Sequence, residues 1–460
     1  MSVQTDTIAA ISTPPGPGAI GILRLSGPGA VPIAEKCFKP LGSKGLREHK
    51  PRKLVYGDLL DGDKQAIDRV LCTYSLGPAS YTGEDMAELQ CHGSPMVLAL
   101  GLEALFAAGA RQARAGEFTK RAFLNGRLDL AQAEAVGDLL EARSREGARH
   151  AAGQLAGALS RKIKNIYSAL VDVMAHFHAV LDYPDEDIDP FRLEELDGLL
   201  SDQEGELSAL LATCGRGKLL REGVACAIVG RPNAGKSSLL NAMLGWDRAI
   251  VTDIPGTTRD TVEERCELGG VPLRLIDTAG LRNTDDPVEK LGVERSRRAM
   301  EEAGLILVLI DASRPAGEED FALLQEAMQL APTILVWTKG DLPAAACPVK
   351  RYEEISCPAV TVSAKVSDLD ELCNEISCAF PQDLWSEHYG EILTNARQEE
   401  AAKRAWEAVR RARGALEAGM TPDALLTDVE EALAALGELT GQSVREDVTD
   451  RIFSRFCVGK

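Results

Sequence analysis

The sequence of 460 residues contains no apolar run near the roughly 20 residues that a helix needs to cross a membrane. Its first six residues, MSVQTD, lack the basic start and apolar core of a secretory signal peptide. The eleven cysteines are scattered without a Cys-x-x-Cys pair, so their spacing indicates neither a structural zinc site nor a disulfide framework. These absences predict a cytoplasmic protein with no membrane partner.

Positive charge is also scarce, because 51 Lys and Arg face 70 Asp and Glu, a formal net charge of −19. This balance argues against indiscriminate nucleic-acid binding, which needs local positive charge. A local basic surface is still compatible with it, since Arg111, Arg114, Lys120, Arg121 and Arg127 cluster in sequence. We interpret most of these as a solvated helix face. The length predicts more than one globular domain.

What the sequence does contain is a P-loop, GRPNAGKS, at residues 230–237. An apolar run precedes it at 225–229 and a helical pattern follows at 238–244, which is the strand–loop–helix order that the motif requires. Backbone N–H groups of such a loop and the helix N-terminus form an anion cradle. Lys236 can reach the β- and γ-phosphates, and the Ser237 hydroxyl can bind Mg²⁺.

Four further motifs follow in the order found in GTPases: GTTRD at 256–260, DTAG at 277–280, TKGD at 338–341 and SAK at 363–365. Thr258 can complete the Mg²⁺ shell when a γ-phosphate is present, and Asp277 follows a strand that would place its carboxylate near the metal. Gly280 can donate its backbone N–H to the γ-phosphate. Asp341 can accept hydrogen bonds from the guanine N1–H and amino group, which adenine cannot supply. The sequence therefore predicts GTP as the nucleotide.

Two positions depart from the usual GTPase pattern. Thr338 stands where the base-reading motif usually has Asn, and a hydroxyl cannot make the same bridging bonds as an amide. Leu281 stands where Ras-like GTPases have the Gln that orients the attacking water. Glu289 is a candidate for that task, although it could equally be a solvated acid at a helix start. The developing phosphoryl charge also needs a cation, either an arginine finger or a monovalent ion near Asn233.

The pattern along the chain predicts several domains. Residues 1–122 are expected to form an α+β domain, and 123–221 and 382–460 two parts of one all-α domain, with an apolar stripe at helical spacing from Leu155 to Val180. The segment 222–381 alternates strands and helices, which predicts an α/β P-loop GTPase domain with a mostly parallel sheet, inserted into the helical domain. Pro422 is expected to open a late helix.

The whole chain resembles the MnmE (TrmE) family of bacterial tRNA-modification GTPases. The GTPase motifs are common to several families, whereas the motifs near both termini are more specific. These lie at residues 6–8, 13–16, 21–24, 81–85, 90–93, 115–119, 121–126, 129–135 and 457–460.

The resemblance implies an N-terminal tetrahydrofolate-binding domain, a helical domain and an inserted G domain. It implies a homodimer that acts with an MnmG-type partner using FAD and NADH, in a heterotetramer. The reaction implied is installation of a carboxymethylaminomethyl- or aminomethyl-type group on carbon 5 of the wobble uridine of tRNA, with methylene-tetrahydrofolate as the one-carbon donor. Contact with tRNA would be direct or through the partner.

The resemblance also assigns roles to individual residues. Glu289 matches the acid that positions water, beside Lys236 and Thr258 as the other catalytic candidates. For K⁺, which would supply the missing positive charge, the matching residues are Asn233, Thr252, Ile254 and Thr257; for Mg²⁺ they are Ser237 and Thr258. The folate contacts match Arg24, Glu84, Arg127 and Lys460, with Arg127 where the family can carry Lys. Cys457 is either chemically active or packed.

The complete nucleotide site predicted from the motifs consists of Asn233, Ala234, Gly235, Lys236, Ser237, Ser238, Thr252, Thr257, Thr258, Asp277, Thr278, Ala279, Gly280, Thr338, Lys339, Asp341, Ser363, Ala364 and Lys365.

Two other functions fit parts of the sequence. A GTPase acting in ribosome assembly would use the helical flanks as an RNA platform, but the folate-type motifs argue against it. A nucleotide-controlled scaffold would gate a partner's chemistry without chemistry of its own.

Overall fold

The computed structural model describes residues 6–142, 144–182, 193–247, 264–276, 289–343, 357–363, 369–380, 389–442, 449, 452–454 and 456–459. The chain forms two compact units: one comprises residues 1–137, 163–171 and 430–460, and the other comprises 138–162 and 172–429. None of the described helices is both long enough and apolar enough to span a membrane.

The first unit is built on a seven-stranded sheet of order β3-β4-β5-β6-β2-β1-β7, antiparallel except for the β1–β7 pair. Its strands are β1 Ile8–Ile11, β2 Gly18–Ser26, β3 Phe38–Pro40, β4 Val55–Leu60, β5 Ala66–Ser75, β6 Met86–Gly93 and β7 Arg111–Gln112. Its helices near the sheet are α1 Ala30–Cys37, α2 Pro95–Ala107 and α3 Glu117–Leu124, followed by α4 Leu130–Glu141.

Alternate side chains of β2 point to opposite faces of the sheet. Leu23 and Leu25 point into a core that α1 and α2 cover on one face of the sheet. Arg24 and Ser26 point to the opposite face, because successive side chains of a strand alternate. On that face Phe118 of α3 packs with Ile8 and other residues in a smaller core.

The second unit contains a six-stranded sheet of order β13-β12-β11-β8-β10-β9, parallel except for the β9–β10 pair. Its strands are β8 Val224–Gly230, β9 Glu264–Leu268, β10 Val271–Ile276, β11 Leu305–Asp311, β12 Thr333–Thr338 and β13 Ala359–Thr361. The sequence has five apolar runs in this segment, each of which predicts a strand: 225–229, 273–276, 305–310, 333–337 and 359–362. They correspond to β8, β10, β11, β12 and β13. The antiparallel edge strand β9 was not predicted, because it alternates polar and apolar residues instead of forming an apolar run.

Helices cover both faces of this sheet, as a parallel sheet requires. Cys226 and Ile228 point into one core and Ala227 and Val229 into another on the opposite side. The covering helices are α9 Lys236–Asp247, α10 Glu289–Glu302, α11 Glu318–Leu330 and α12 Asp370–Ala379.

Helix α7 Leu193–Leu211, before this sheet, packs against α13 Ala396–Glu417, after it, as expected for an inserted segment. The other helices that flank the inserted segment in sequence are α5 Arg145–Leu155, α6 Ala158–Asp182, α8 Cys214–Glu222 and α14 Pro422–Thr440. Arg413 of α13 bonds the carboxylates of Asp197 at 2.8 Å and Glu204 at 3.2 Å, both on α7. The predicted fold class is thus confirmed: an α+β segment, helical segments and an inserted α/β segment with a mostly parallel sheet.

The apolar stripe from Leu155 to Val180 crosses a helix boundary that its spacing does not reveal. Helix α5 ends at Leu155 and α6 begins at Ala158. Gly157 between them has φ +84°, a left-handed conformation that ends a helix, and hydrophobic spacing does not register that change. Pro422 opens α14 as predicted.

Candidate functional site

The P-loop links the end of β8 to the start of α9. Gly230 is the last residue of the strand and Lys236 the first of the helix. Within the loop Asn233 has φ +63° and Gly235 has φ +90°. Glycine adopts this left-handed region without strain and Asn is among the few other residues that tolerate it, so the two positions suit these residue types. The predicted strand–loop–helix arrangement is confirmed.

Lys236 lies across this loop. Its Nζ donates hydrogen bonds to the carbonyl oxygens of Gly230 at 2.7 Å and Arg231 at 2.9 Å. Burial lowers the pKa of the Lys236 ammonium. The amine is therefore held by neutral acceptors at the place where a helix N-terminus and a glycine-rich loop can cradle a phosphate.

Thr338, at the end of β12, is 4% exposed and contacts the P-loop directly. Its hydroxyl donates to the Ala234 carbonyl at 2.7 Å and also lies 3.3 Å from the Ile310 carbonyl. Thr338 has no amide with which to make the bonds of the usual Asn, but its hydroxyl proton still joins the end of β12 to the P-loop. The short side chain reaches because the P-loop passes close to it: a Cβ on Gly235 would lie 3.5 Å from the Thr338 side chain.

The rest of the base-reading segment is tied down by polar contacts. The Ser363 hydroxyl donates to Asp341 at 3.2 Å, which brings together two of the predicted base-contacting residues. Lys339 has φ +58°, and its Nζ bonds Asp311 Oδ2 at 2.5 Å. Asp311 was not predicted. The available signal was an aspartate closing the otherwise apolar strand β11, at the carboxyl edge where ligands of parallel sheets bind.

Several predicted site residues lie outside the described residues, and their roles stay predictions. These are Thr252, Ile254, Thr257, Thr258, Asp277, Thr278, Ala279, Gly280, Ala364, Lys365 and Lys460. Glu289 is the first residue of α10, and its side chain is not described. Ser238 is exposed on the first turn of α9, beside the half-buried Ser237.

In the first unit, Arg24 of β2 and Glu84, from the loop before β6, lie on the same side of the sheet. Arg24 Nε bonds Glu88 on the neighbouring strand at 2.8 Å, and its guanidinium lies 6.0 Å from the Tyr81 ring centroid. Two residues along β2, the Ser26 hydroxyl donates to Glu84 at 2.7 Å. A cation, a carboxylate and an aromatic ring are thus presented by one sheet face and its adjoining loop.

The buried Arg121 side chain bonds three carboxylates in this region. It is 1% exposed, and its guanidinium bonds Glu84 at 3.0 Å, Asp6 at 2.7 Å and Glu117 at 3.1 Å. Burial alone would lower the pKa of Arg121, but the surrounding carboxylates raise it above its usual value. Arg121 is an exception to the solvated face expected for most of the basic cluster. Helical spacing shows which residues share a face but not which face three carboxylates approach.

Arg127, another folate candidate, lies close to Glu84 in the fold. A Cβ on Gly83, which has φ +78°, would come 3.2 Å from the Arg127 side chain, so the two residues pack together next to Glu84. The carbonyl of Gly459 accepts hydrogen bonds from Ser12 at 3.0 Å and from Arg24 at 3.5 Å. Gly459 therefore contacts Arg24, and Cys457, two residues earlier, is exposed.

The donor sets fit the expected ligands to different degrees. Over the part of the chain that the structure describes, no three His, Cys, Asp or Glu side chains form a group that could hold a metal. A hydroxyl such as that of Ser237, with phosphate oxygens, is nevertheless a donor set that Mg²⁺ accepts. Asn233 is exposed and offers a neutral amide oxygen, which suits a monovalent cation.

Comparison with known proteins gives matches over the whole chain. A family model described as the MnmE helical domain matches residues 130–457, and one described as GTP-binding protein TrmE N-terminus matches residues 7–127. The tRNA modification GTPase MnmE of Clostridioides difficile is 42% identical over 457 residues, with 99% of each chain covered. That of Chloroflexus aurantiacus is 45% identical over 459 residues, with 99% of this chain and 100% of the relative covered.

Among solved structures, the G domain of the T. maritima FeoB iron transporter is similar to 33% of this chain. The match covers 94% of that domain, at 24% identity and a TM-score of 0.24.

Proposed function

The chain belongs to the MnmE family of tRNA modification GTPases, as the family resemblance predicted, and from this membership we propose the reaction it serves. It is the GTP-hydrolysing component of wobble-uridine modification at carbon 5, of the carboxymethylaminomethyl or aminomethyl type. The observation that carries the proposal is the presence, in one chain, of a P-loop and a separate cation–carboxylate–aromatic face where the folate motifs lie.

Two separate groups of residues bind the phosphates and the guanine base of GTP. The P-loop backbone and Lys236 hold the phosphates, because the ammonium can exchange the loop carbonyls for phosphate oxygens. Asp341, tied to Ser363, accepts hydrogen bonds from guanine. Thr338 keeps these two parts in register through the Ala234 carbonyl.

Hydrolysis needs a positioned water and compensation of the charge that develops on the phosphoryl group. Leu281 cannot orient water, so we assign that task to Glu289. Mg²⁺ would be held by Ser237 and Thr258, and K⁺ by Asn233 with Thr252, Ile254 and Thr257; these ions supply the positive charge that stabilises the transition state. The contribution of the chain is to hold the β- and γ-phosphates between Lys236 and the loop backbone.

The face around Arg24 and Glu84 is assigned to a tetrahydrofolate derivative. A pterin ring carries N–H donors that suit the Glu84 carboxylate, and the glutamate tail suits the cations Arg24, Arg127 and Lys460. Arg121 and Ser26 hold Glu84 in place for that contact. When bound, methylene-tetrahydrofolate supplies the one-carbon unit.

The proposed partners complete the reaction. The chain acts in the cytoplasm as a homodimer with an MnmG-type partner that uses FAD and NADH, and the redox step belongs to that partner. The tRNA substrate contacts this chain directly or through the partner.

The test is reconstitution with the full chain. It would be incubated with an MnmG-type protein, GTP, K⁺, methylene-tetrahydrofolate and unmodified tRNA, and the tRNA nucleosides would be analysed by mass spectrometry. We expect a mass increase at the wobble uridine that needs both proteins and GTP. Active GTP hydrolysis with unmodified wobble uridine would reject the proposed reaction while leaving the GTPase assignment standing.

A further inference from the structure

Asp311 lies at the edge of the nucleotide site and uses its two carboxylate oxygens for different contacts. It is the last residue of β11 and pairs in register with Thr338 of β12. Oδ1 accepts hydrogen bonds from the Ser313 backbone N–H at 3.0 Å and hydroxyl at 2.6 Å. Oδ2 accepts from Lys339 Nζ at 2.5 Å. One oxygen therefore caps the local turn, and the other reaches the base-reading segment.

The contact to Lys339 has the geometry of a constraining ion pair. The Asp311 side chain is 10% exposed and that of Lys339 is 32% exposed, so water screens this pair less than a surface pair. Arg314 also approaches Oδ2, at 3.7 Å, but it is 71% exposed and makes the weaker contact. Burial alone would raise the pKa of the Asp311 carboxyl, yet the bonds from Lys339 and Ser313 lower it below its usual value.

Lys339 needs such a constraint. Its backbone has φ +58°, which is unfavourable for a lysine, and it separates Thr338 from the Asp341 loop. Thr338 is already joined to the P-loop through the Ala234 carbonyl. A lysine released from Asp311 would regain several side-chain rotamers and loosen the backbone that presents Asp341.

We propose that Asp311 is a positioning residue of the guanine-nucleotide site, acting through Lys339 to preorganise the base-reading loop. It does not contact the reacting atoms. The assignment rests on the proposed function, which places Lys339 in the nucleotide site, and adds a residue that positions Lys339 there. Its consequence is a lower affinity for GTP and GDP, with an unchanged chemical step, when the pair is broken.

The different roles of the two oxygens allow a selective test. In Asp311→Asn the amide oxygen can still accept from Ser313, while the NH₂ group cannot accept from the Lys339 ammonium. Ser313→Ala is the matched control, because it removes a bond to Oδ1 and leaves the Lys339 pair intact. Lys339→Gln and the double variant Asp311→Asn with Lys339→Gln complete the cycle.

For the full chain we would measure kcat and KM for GTP, together with the dissociation constant of GDP. In Asp311→Asn we expect KM and the GDP dissociation constant to rise about tenfold, as for loss of one charge-assisted hydrogen bond, with kcat within about twofold of wild type. Ser313→Ala should change neither constant by more than about twofold. The double variant should bind no more weakly than Lys339→Gln alone, because both changes remove the same interaction.

Wild-type constants in Asp311→Asn, or full additivity in the double variant, would overturn the assignment. Should Asp311→Asn fold poorly, Asp311→Glu serves as the second variant, since it keeps the charge but displaces the carboxylate by one methylene. A raised KM at constant kcat would then support the assignment, and a wild-type KM would overturn it. Wild-type protein that hydrolyses no GTP would instead reject the proposed function, and the Asp311 assignment with it.

Discussion

The hydroxyl of Thr338 donates a hydrogen bond to the carbonyl of Ala234 across 2.7 Å, although the residues lie 104 positions apart in sequence. This bond connects the end of β12, where we propose that the base is read, with the loop that we propose binds the phosphates.

Removing that hydroxyl should weaken nucleotide binding. In Thr338→Val the shape is retained but the Ala234 carbonyl loses its partner, which costs about 1–2 kcal/mol. We expect GTP affinity to fall roughly tenfold. Thr338→Ser keeps the hydroxyl and is the matched control, expected within about threefold of wild type in a titration with GDP. Equal affinity of the Val and Ser variants would show that the bond does not support the site.

Arg121 should be required for the stability of the first unit. Arg121→Met removes the guanidinium that bonds Asp6, Glu84 and Glu117 together, while Arg111 still bonds Asp6 and Glu117. Loss of one partner from a buried network costs about 3–5 kcal/mol. Urea denaturation followed by a probe in this unit would measure the decrease in the free energy of unfolding. The control is Arg47→Gln, which breaks an exposed pair with Glu35 and should cost less than about 1 kcal/mol. Similar losses in both variants would contradict the buried-network interpretation.

Acid should weaken the same network through Glu117. Burial alone would raise the pKa of Glu117, but hydrogen bonds from Arg111, Arg114 and Arg121 hold it below its usual value of 4.5. Because the folded pKa is the lower one, the stabilisation is fully present above the unfolded pKa and is lost as pH falls through the folded pKa.

The free energy of unfolding of wild type should therefore exceed that of Glu117→Gln at pH 7, and the difference should shrink below a pH of about 4.5. Urea unfolding at a series of pH values would measure it. Glu103→Gln, which removes a carboxylate at an exposed position of α2, is the control substitution. A difference in the free energy of unfolding between wild type and Glu117→Gln that stays constant down to pH 3 would refute the prediction.

Hydrolysis should depend on the monovalent ion. If K⁺ supplies the missing positive charge near Asn233, turnover of GTP should be at least about tenfold faster in KCl than in NaCl at equal ionic strength. Asn233→Gly removes the amide but accepts φ +63° without strain, so it should abolish the preference while the fold is retained. Equal wild-type rates in the two salts would count decisively against the ion model.

Glu289 should affect the chemical step and spare binding. Glu289→Ala is expected to bind GTP with wild-type affinity and to hydrolyse it about 100-fold more slowly or worse, as for loss of a group that positions water. Single-turnover hydrolysis with saturating protein isolates this step from product release. A rate close to wild type would make Glu289 an ordinary acid at the start of α10.

Much of the architecture could be predicted because it depends on local patterns. The apolar runs predicted strands β8, β10, β11, β12 and β13, and the glycine-rich motif predicted the loop that joins β8 to α9. The edge strand β9 and the break at Gly157 could not be predicted in this way. The first has no apolar run, and the second depends on one backbone dihedral that hydrophobic spacing does not register.

The sequence by itself determined the order of the motifs, the residue types that handle phosphate and guanine, and the alternation that places Arg24 and Ser26 on one face of β2. Tertiary structure alone decided that Arg121 bonds Asp6, 115 positions away, and that Asp311 holds Lys339. The reason is physical: periodicity follows from backbone geometry within a few residues, whereas the partner of a buried charge depends on which distant segments the sheet register brings within hydrogen-bond distance.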